Sequence, residues 1–152
     1  MYVLLIQIMN LSVFESMNIY NIINPADYIT SGSERDVYKY NKDYVIKVSK
    51  LSSENHNQNI REYEFYNVIK NKKISNLFAE IKILNGDQYP NLYIIQEKLN
   101  TNKNIPQREI EEWLEEVRKY NIIVHDDRPV NYGYRGNQLV MLDYAGCYID
   151  SK

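Results

Sequence analysis

The order of strand and helix patterns along the chain constrains its fold most. Three short strand patterns come first, separated by polar turns, at residues 27–33, 36–40 and 44–48. A helix pattern follows over residues 57–70, where apolar side chains recur at spacings of three and four without Gly or Pro. Two further strand patterns, at 77–84 and 92–99, flank a turn at residues 85–87. This order predicts an α+β fold with an antiparallel five-stranded sheet and one helix.

The second half of the chain contains fewer and shorter elements. A polar connector at residues 100–104 leads to a helix that begins near Pro106. The apolar face of this helix consists of Ile110, Trp113, Leu114 and Val117. Short strand patterns follow at residues 121–124, 132–134 and 139–143. Because the chain has no internal repeat and no long flexible linker, its 152 residues are expected to form one domain.

Composition argues against several classes of function. Basic and acidic residues nearly balance, with 18 Lys and Arg against 20 Asp and Glu and a net charge of −2. The basic residues are scattered, so the electrostatic signature of a nucleic-acid-binding protein is missing. The lone Cys147 excludes an intrachain disulfide and fits a reducing compartment, with the cytoplasm as the expected location. The apolar run at residues 1–9 is too short to span a bilayer, so no membrane partner is expected.

Three polar features of the first half have chemical potential. Gly32 and Ser33 form a turn between two strands, where backbone N–H groups could cover phosphates. Lys47 places a cation between apolar strand residues, and Glu62 lies on the helix that follows. Each feature also has an ordinary structural explanation: a hairpin turn, an exposed strand lysine and a surface glutamate.

Two further features follow in the second half. Asp126 and Asn131 lie five residues apart around the turn at Pro129, so a carboxylate and an amide oxygen can point at one place. Asp143 ends an apolar strand, where a carboxylate is a natural ligand for a cation. Turn formation would explain either segment alone. The occurrence of all five features in this order is improbable by chance.

The series resembles the protein-kinase-like fold. Its signature consists of a Gly-rich loop, a lysine in a V-A-I-K strand, a helix glutamate, a D-x-x-x-x-N loop and a D-F-G triplet, in that order. The resemblance covers about residues 27–146, and the compact form is similar to small kinase-like proteins of viruses and phages. It implies an N-terminal extension at residues 1–26, an N-terminal lobe at 27–99 and a much reduced C-terminal lobe at 100–152.

The resemblance implies a nucleotide site in the first half. Lys47 corresponds to the strand lysine that pairs with the nucleotide phosphates, and Glu62 corresponds to its helix partner. Residues 96–99 correspond to the hinge between the lobes, whose backbone binds adenine in kinases. The residues implied to contact ATP are Gly32, Ser33, Lys47, Glu97 and Leu99.

The resemblance also implies catalytic and metal-binding residues. Asp126 corresponds to the catalytic aspartate, and Arg128 stands at the place of the catalytic-loop lysine, which contacts the γ-phosphate. Asn131 and Asp143 correspond to the magnesium ligands. ATP and Mg²⁺ are therefore the expected cofactors. The expected catalytic residues are Asp126, Lys47, Glu62 and Arg128.

The chain departs from the kinase-like pattern at several places. Thr30 and Arg35 stand where the first and third glycines of the Gly-rich loop would be, and Val124 replaces the histidine of H-R-D. The sequence stops soon after Gly146, so the activation segment and the later helices of the larger lobe are not expected. These departures weaken the expected phosphate cover and the platform on which a peptide substrate docks.

Two functional hypotheses follow from the matches and departures. The first is a minimal ATP- and Mg²⁺-dependent phosphotransferase that acts on a hydroxyl of a protein or a small molecule. The alternative is a catalytically inactive kinase-like binding module that engages a host kinase, another protein or a second copy of itself. For a viral protein, the expected location is the host cytoplasm. A third interpretation, an unrelated α+β domain, would separate Lys47 from Asp143 in space.

Overall fold

A four-stranded antiparallel sheet forms the first part of the fold. The computed structural model describes residues 23–50, 58–82 and 93–151. The strands are β1 (Tyr28–Ser31), β2 (Arg35–Lys39), β3 (Tyr44–Ser49) and β4 (Tyr93–Glu97), paired in that order. In the inner strand β3, Lys47 pairs with Val37 on one side and with Ile94 on the other. The register therefore fixes Lys47 in the middle of the sheet.

Helix α1 (Gln58–Ile69) packs against this sheet with a face that changes character along its length. The buried residues of the helix begin with two polar side chains, Asn59 and Glu62. They continue with three apolar ones, Phe65, Tyr66 and Ile69. The spacing confirms the predicted helix, and it places a carboxylate in the interface between helix and sheet.

The second part consists of one helix and two small antiparallel pairs. The elements are α2 (Gln107–Arg118), β5 (Ile122–Val124), β6 (Tyr132–Arg135), β7 (Gln138–Met141) and β8 (Cys147–Ile149). Strand β5 pairs with β8, and β6 pairs with β7 across a tight turn at Gly136. Gly136 has a φ of 62°, a backbone conformation that glycine adopts without steric cost. The buried face of α2 is the one that the sequence predicts.

A chain of aromatic contacts joins the two parts into one hydrophobic core. Phe78 packs edge-to-face against Phe65 of α1, Trp113 of α2 and Tyr144, with ring centroids 5.1, 5.4 and 5.3 Å away. Trp113 continues the chain to Tyr132 at 5.1 Å. Each such pair contributes about 0.5–1.5 kcal/mol beyond the area it buries. Tyr144 is fully buried, so it anchors the backbone directly after Asp143.

The predicted α+β class is confirmed, and the predicted strand at residues 77–84 is found only in part within the described residues. Residues Lys73–Leu77 form a 3₁₀ turn, and Phe78 bridges to Met141 of β7. Ile81 makes a single antiparallel bridge to Gln96 of β4. Phe78 packs into the aromatic core, whereas the backbone around Ile81 bonds to β4. The Lys82 N–H donates to the Ile95 carbonyl oxygen and the Glu97 N–H donates to the Glu80 carbonyl oxygen, both at 2.8 Å. The described sheet therefore has four full strands, and residues 80–82 bond antiparallel to β4 where the fifth strand is predicted.

Some of the sequence predictions concern residues that the structure does not describe. The predicted hairpin turn at 85–87 and most of the predicted extension at 1–26 lie outside the described residues. In the described ranges, no helix combines the length and the apolar character needed to cross a bilayer.

Candidate active site

A cleft of about 480 Å³ lies between the sheet and the second part of the chain. Its walls come from the β1–β2 turn, from β2 and β3, from the beginning of α1 and from the segments at 126–131 and 141–147. Seven of the predicted site residues line it: Gly32, Ser33, Lys47, Asp126, Arg128, Asn131 and Asp143. Residues that are far apart in sequence therefore converge on one concave surface.

Lys47 and Glu62 form a buried ion pair beneath the cleft. The Lys47 Nζ donates to Glu62 Oε1 at 3.1 Å and to the Leu142 carbonyl oxygen at 2.6 Å. Glu62 is fully buried, and it also accepts a hydrogen bond from the Tyr144 backbone N–H at 3.1 Å. The pair thus links β3, α1 and the segment that carries Asp143.

Burial and neighbouring charge act in opposite directions on this pair. Burial lowers the pKa of Lys47, and the nearby Glu62 carboxylate offsets only part of that effect. For Glu62, burial alone would raise the pKa, but the charges of Arg35 and Lys47 outweigh it and hold the pKa below its ordinary value. Glu62 therefore stays ionised and keeps the Lys47 ammonium in position.

Arg35 is a third charged member of the site, which the sequence analysis treats only as a departure from the glycine pattern. Its guanidinium donates to Asn59 Oδ1 at 3.0 Å, to the Glu62 carboxylate and to Asp143 Oδ1 at 3.0 Å. Burial lowers the pKa of Arg35, but Glu62 and Asp143 raise it by more, so the cation is held firmly. The pairing register of β2 and β3 is the signal that could have identified Arg35 as a site residue. Lys47 pairs with Val37, and Arg35 lies two residues before Val37 on the same face.

The loop after β5 carries Asp126 and Asn131. Both Asp126 oxygens accept hydrogen bonds from Arg128, at 2.7 Å from Nε and at 2.6 Å from Nη2. These bonds are the main reason why the pKa of Asp126 falls to about 2. Asn131 Nδ2 donates to the Asp126 carbonyl oxygen at 3.0 Å, and the Asn131 carbonyl oxygen accepts the N–H of Leu142 at 2.8 Å. The loop is thereby tied to the segment that ends at Asp143.

The donor set at Asn131 and Asp143 fits magnesium. The Asn131 amide nitrogen is used within the loop, and its Oδ1 has no hydrogen-bond donor among the described residues. Asp143 adds a carboxylate that is 38% exposed. The described ranges contain no cluster of three His, Cys, Asp or Glu side chains able to hold a metal alone. Two oxygen ligands suit Mg²⁺, which in phosphate sites takes its remaining ligands from phosphates and water.

Gly32 lines the cleft, but its backbone N–H is already used. The Gly32 N–H donates to the Arg35 carbonyl oxygen at 2.8 Å, and the Gly32 carbonyl oxygen accepts from Lys50 Nζ at 2.6 Å. These contacts close the β1–β2 turn. Gly32 therefore supports the hairpin geometry, and its N–H is not open to a phosphate in this arrangement.

Comparison with known proteins identifies the fold. The sequence matches no protein-family model and no curated protein. Among solved structures, the Lpg2603 kinase of Legionella pneumophila bound to IP6 has a TM-score of 0.53 and 23% sequence identity, covering 83% of this chain and 50% of that chain. The aminoglycoside phosphotransferase APH(2″)-IIa, in its streptomycin–ATP complex, has a TM-score of 0.56 and 16% identity, covering 92% and 73%. ADP-bound APH(2″)-Ib has a TM-score of 0.55 and 16% identity, covering 91% and 71%.

The chain has a protein-kinase-like fold. The fold predicted from the five polar features is therefore confirmed, although the chain spans only half the length of the Legionella kinase. These similarities do not bear on the predicted resemblance to viral and phage proteins, which stays a prediction. The interpretation as an unrelated α+β domain is wrong, since Lys47 and Asp143 line one cleft.

The residues predicted to form the hinge are not among those that line the cleft described above. Glu97 and Leu99, which are predicted to contact ATP, do not line that cleft. Glu97 accepts hydrogen bonds from Arg135 at 2.7 and 2.6 Å, and the buried Leu99 packs directly against Gly133. The role of both residues in adenine binding stays a prediction.

Replacing Arg128 tests the electrostatics of the kinase-like loop. We expect Arg128→Gln to raise the pKa of Asp126 from about 2 toward its ordinary value of 3.8, because the hydrogen bonds from Arg128 are the largest cause of the shift. In the wild type, ionised Asp126 favours the folded state above pH 3.8, and that contribution is lost as the pH falls toward 2. Carbon-detected NMR titration of the Asp126 carboxyl measures the change.

Arg118→Gln is the matched control for this titration, since Arg118 lies at the exposed end of α2 and lines no part of the cleft. It should leave the pKa of Asp126 unchanged. A pKa that stays near 2 in Arg128→Gln would show that other groups hold the Asp126 charge.

Proposed function

We propose that this chain is a minimal ATP- and Mg²⁺-dependent phosphotransferase that transfers the γ-phosphate to a hydroxyl of a protein or a small molecule. One observation carries the proposal: Lys47, Asp126 and Asp143 come from three separate segments and line one cleft. A phosphotransferase needs these three groups together, because its catalysis consists mainly of positioning and charge neutralisation. The ATP and ADP complexes of the two aminoglycoside phosphotransferases support a nucleotide as the donor.

The first task of the site is to hold the phosphate donor. Lys47 would bind the phosphates, since Glu62 and the Leu142 carbonyl oxygen hold its Nζ at the floor of the cleft. Asn131 and Asp143 would hold Mg²⁺, which when bound neutralises charge that develops on phosphate oxygens. The Asp143 backbone is fixed from below by the buried Tyr144, so its carboxylate keeps a constant place in the cleft.

The second task is to orient the acceptor. Asp126 would accept a hydrogen bond from the acceptor hydroxyl and take its proton as the bond to phosphorus forms. With a pKa of about 2, Asp126 is ionised at every physiological pH but is a weak base. This suits a loose transition state, in which orientation of the hydroxyl matters more than early removal of its proton.

The acceptor class follows from the neighbours and from the shape of the chain. Streptomycin in the APH(2″)-IIa complex supports a small hydroxyl compound as acceptor. A protein acceptor stays within the proposal, although the residues described here include no counterpart of the helices on which kinases dock a peptide. The cytoplasm is the proposed location, in keeping with the free, buried Cys147.

A second candidate function is the kinase-like binding module. A specific observation favours it: each of the two key carboxylates already pairs with an arginine. Asp126 binds Arg128, and Asp143 binds Arg35 at 3.0 Å. Carboxylates held in this way would stabilise the surface around the cleft for a protein partner, such as a host kinase or a second copy of this chain.

Replacing Asp126 separates the two functions. We expect Asp126→Asn to lower phosphate transfer about 10²- to 10⁴-fold, because the amide cannot accept the hydroxyl proton, while binding of Mg-ATP changes little. Transfer from γ-labelled ATP is measured with streptomycin, with other aminoglycosides, and with the chain itself as acceptors. Asp127→Asn is the matched control, because Asp127 is the exposed neighbour and lines no part of the cleft.

The result decides between the two proposals. Transfer by the wild type that is lost only in Asp126→Asn supports the phosphotransferase. Equal transfer by wild type and Asp126→Asn would remove Asp126 from the mechanism. Binding of ATP without transfer to any acceptor, in wild type and variant alike, would favour the binding module.

A further inference from the structure

Arg35 has no counterpart in the kinase-like signature, yet it lies at the centre of the charged site. We propose that Arg35 is a resident cation of the nucleotide site, which binds phosphate oxygens and neutralises Asp143. A protein side chain then provides part of the charge neutralisation that a divalent cation provides in such sites. This inference rests on the proposed function, because it assigns a role to Arg35 toward the same nucleotide.

The surroundings of Arg35 hold its guanidinium in one orientation. The side chain is only 6% exposed, and Asn59, Glu62 and Asp143 accept hydrogen bonds from it. Asn59 is itself fixed, since its Nδ2 donates to the Lys47 carbonyl oxygen and to Ser49 Oγ, both at 2.9 Å. A cation held in this way loses little conformational entropy when it binds a ligand.

The guanidinium keeps donors for a ligand. Of its five N–H groups, three are used by Asn59, Glu62 and Asp143. Arg35 also lines the cleft together with Lys47. The planar fork of arginine suits the oxygens of a phosphate group.

The sum of the charges in the cluster also supports a role for Arg35 in binding phosphate. Lys47 and Arg35 contribute two positive charges, and Glu62 and Asp143 contribute two negative ones. The cluster is therefore neutral. Without Arg35 it would carry a net negative charge, and a polyphosphate would be repelled unless a metal ion restored the balance.

The β1–β2 turn explains why such a cation is useful here. In the kinase-like pattern, backbone N–H groups of the Gly-rich loop cover the phosphates. In this chain the Gly32 N–H is bonded to the Arg35 carbonyl oxygen at 2.8 Å. The side chain of Arg35 would thus add a donor group to a cleft in which the Gly32 N–H is already used.

The ion pair between Arg35 and Asp143 also reduces the contribution of Mg²⁺ to ATP binding. Asp143 Oδ1 accepts from Arg35, so a divalent cation would share this carboxylate with a positive charge 3.0 Å away. We therefore expect ATP to bind to the wild type without Mg²⁺, with a Kd within about tenfold of the value in its presence, a difference of about 1.4 kcal/mol.

Isothermal titration calorimetry with ATP tests the inference, in excess MgCl₂ and in excess EDTA. Arg35→Gln should weaken binding in EDTA by about tenfold or more, through loss of charge-assisted hydrogen bonds. In MgCl₂ the Kd of the same variant for ATP should be much closer to the wild-type value. Without Arg35, the Asp143 carboxylate would be fully available to the metal. Arg108→Gln, in an exposed pair with Glu112 on α2, is the matched control and should behave as wild type.

A second variant keeps Arg35 and removes its partner in the cleft. Asp143→Asn should bind ATP in EDTA at least as tightly as wild type, since it frees the guanidinium, but it should gain little from MgCl₂. If Arg35→Gln does not fold by circular dichroism, Arg35→Lys replaces it. Arg35→Lys keeps the charge without the fork and should show a smaller loss in EDTA.

Three results would overturn the inference. Equal weakening of Arg35→Gln in EDTA and MgCl₂ would make Arg35 a structural residue. Loss of metal-free binding in Asp143→Asn would show that Asp143, and not Arg35, is needed for ATP. No binding of ATP by wild type in either condition would contradict the proposed function itself, an outcome distinct from the other two.

Discussion

Replacing Glu62 with alanine should destabilise the folded protein by about 3–5 kcal/mol, the cost of breaking a buried ion pair from one side. The side chains of Lys47 and Arg35 are only 5% and 6% exposed, and both lose their shared carboxylate in this variant. For a domain of this size, the melting temperature should fall by roughly 6–20 °C. Urea denaturation followed by circular dichroism measures the free energy of unfolding.

The matched control for this variant is Glu64→Ala, on the same helix and at an exposed position. It should change the free energy of unfolding by less than about 0.5 kcal/mol, as most surface substitutions do. Glu62→Gln keeps the shape of the side chain and loses its charge. Its loss of unfolding free energy should therefore lie between those of Glu62→Ala and Glu64→Ala. A loss below about 1 kcal/mol in Glu62→Ala would contradict the buried charge cluster, because Lys47 and Arg35 would then have found other partners.

Mg-ATP should raise the melting temperature of the wild type, and Asp143→Ala should abolish the Mg²⁺-dependent part of that rise. A ligand at about a hundred times its Kd adds roughly 2.7 kcal/mol to the free energy of unfolding. For this chain length the shift is about 5–10 °C. Differential scanning fluorimetry with ATP and MgCl₂, and with ATP and EDTA, separates the two contributions.

Asp43→Ala, at the exposed β2–β3 turn, is the control for this measurement and should keep the full shift. No shift of the wild type at millimolar Mg-ATP would contradict a nucleotide site in this chain. It would leave the binding module as the remaining proposal. An Mg²⁺-dependent shift that survives Asp143→Ala would instead place the metal on other ligands.

The sequence predicts the elements well where the pattern is local. The three strands before α1 and both helices depend on neighbours a few residues apart, and each is found within one or two residues of its expected bounds. The strand at 77–84 is found only in part, because its described residues form a strand-like pairing only around Ile81. Its apolar residues satisfy the strand pattern, but Phe78 packs into an aromatic cluster whose other members come from residues 65, 113 and 144.

The sequence predicts one part of the candidate site and misses another. Lys47, Asp126, Asn131 and Asp143 could be selected because their types and order resemble a known signature, and the structure brings all four to one cleft. Glu97 and Leu99 followed from the same signature, but the structure does not bring them there. Arg35 could not be selected from the signature, which has glycine at its position.

The sequence by itself determined the order of the elements, the apolar faces of the two helices and the set of polar residues available for chemistry. These depend on local periodicity and on residue type. Only the tertiary structure decided which charges meet. Arg35 reaches partners 24, 27 and 108 positions away in the chain. Such contacts arise because the fold places α1 and the Asp143 segment within reach of the Arg35 side chain on β2. A local sequence pattern contains no information about contacts between residues so far apart in the chain. The electrostatics of the cleft depend on these contacts.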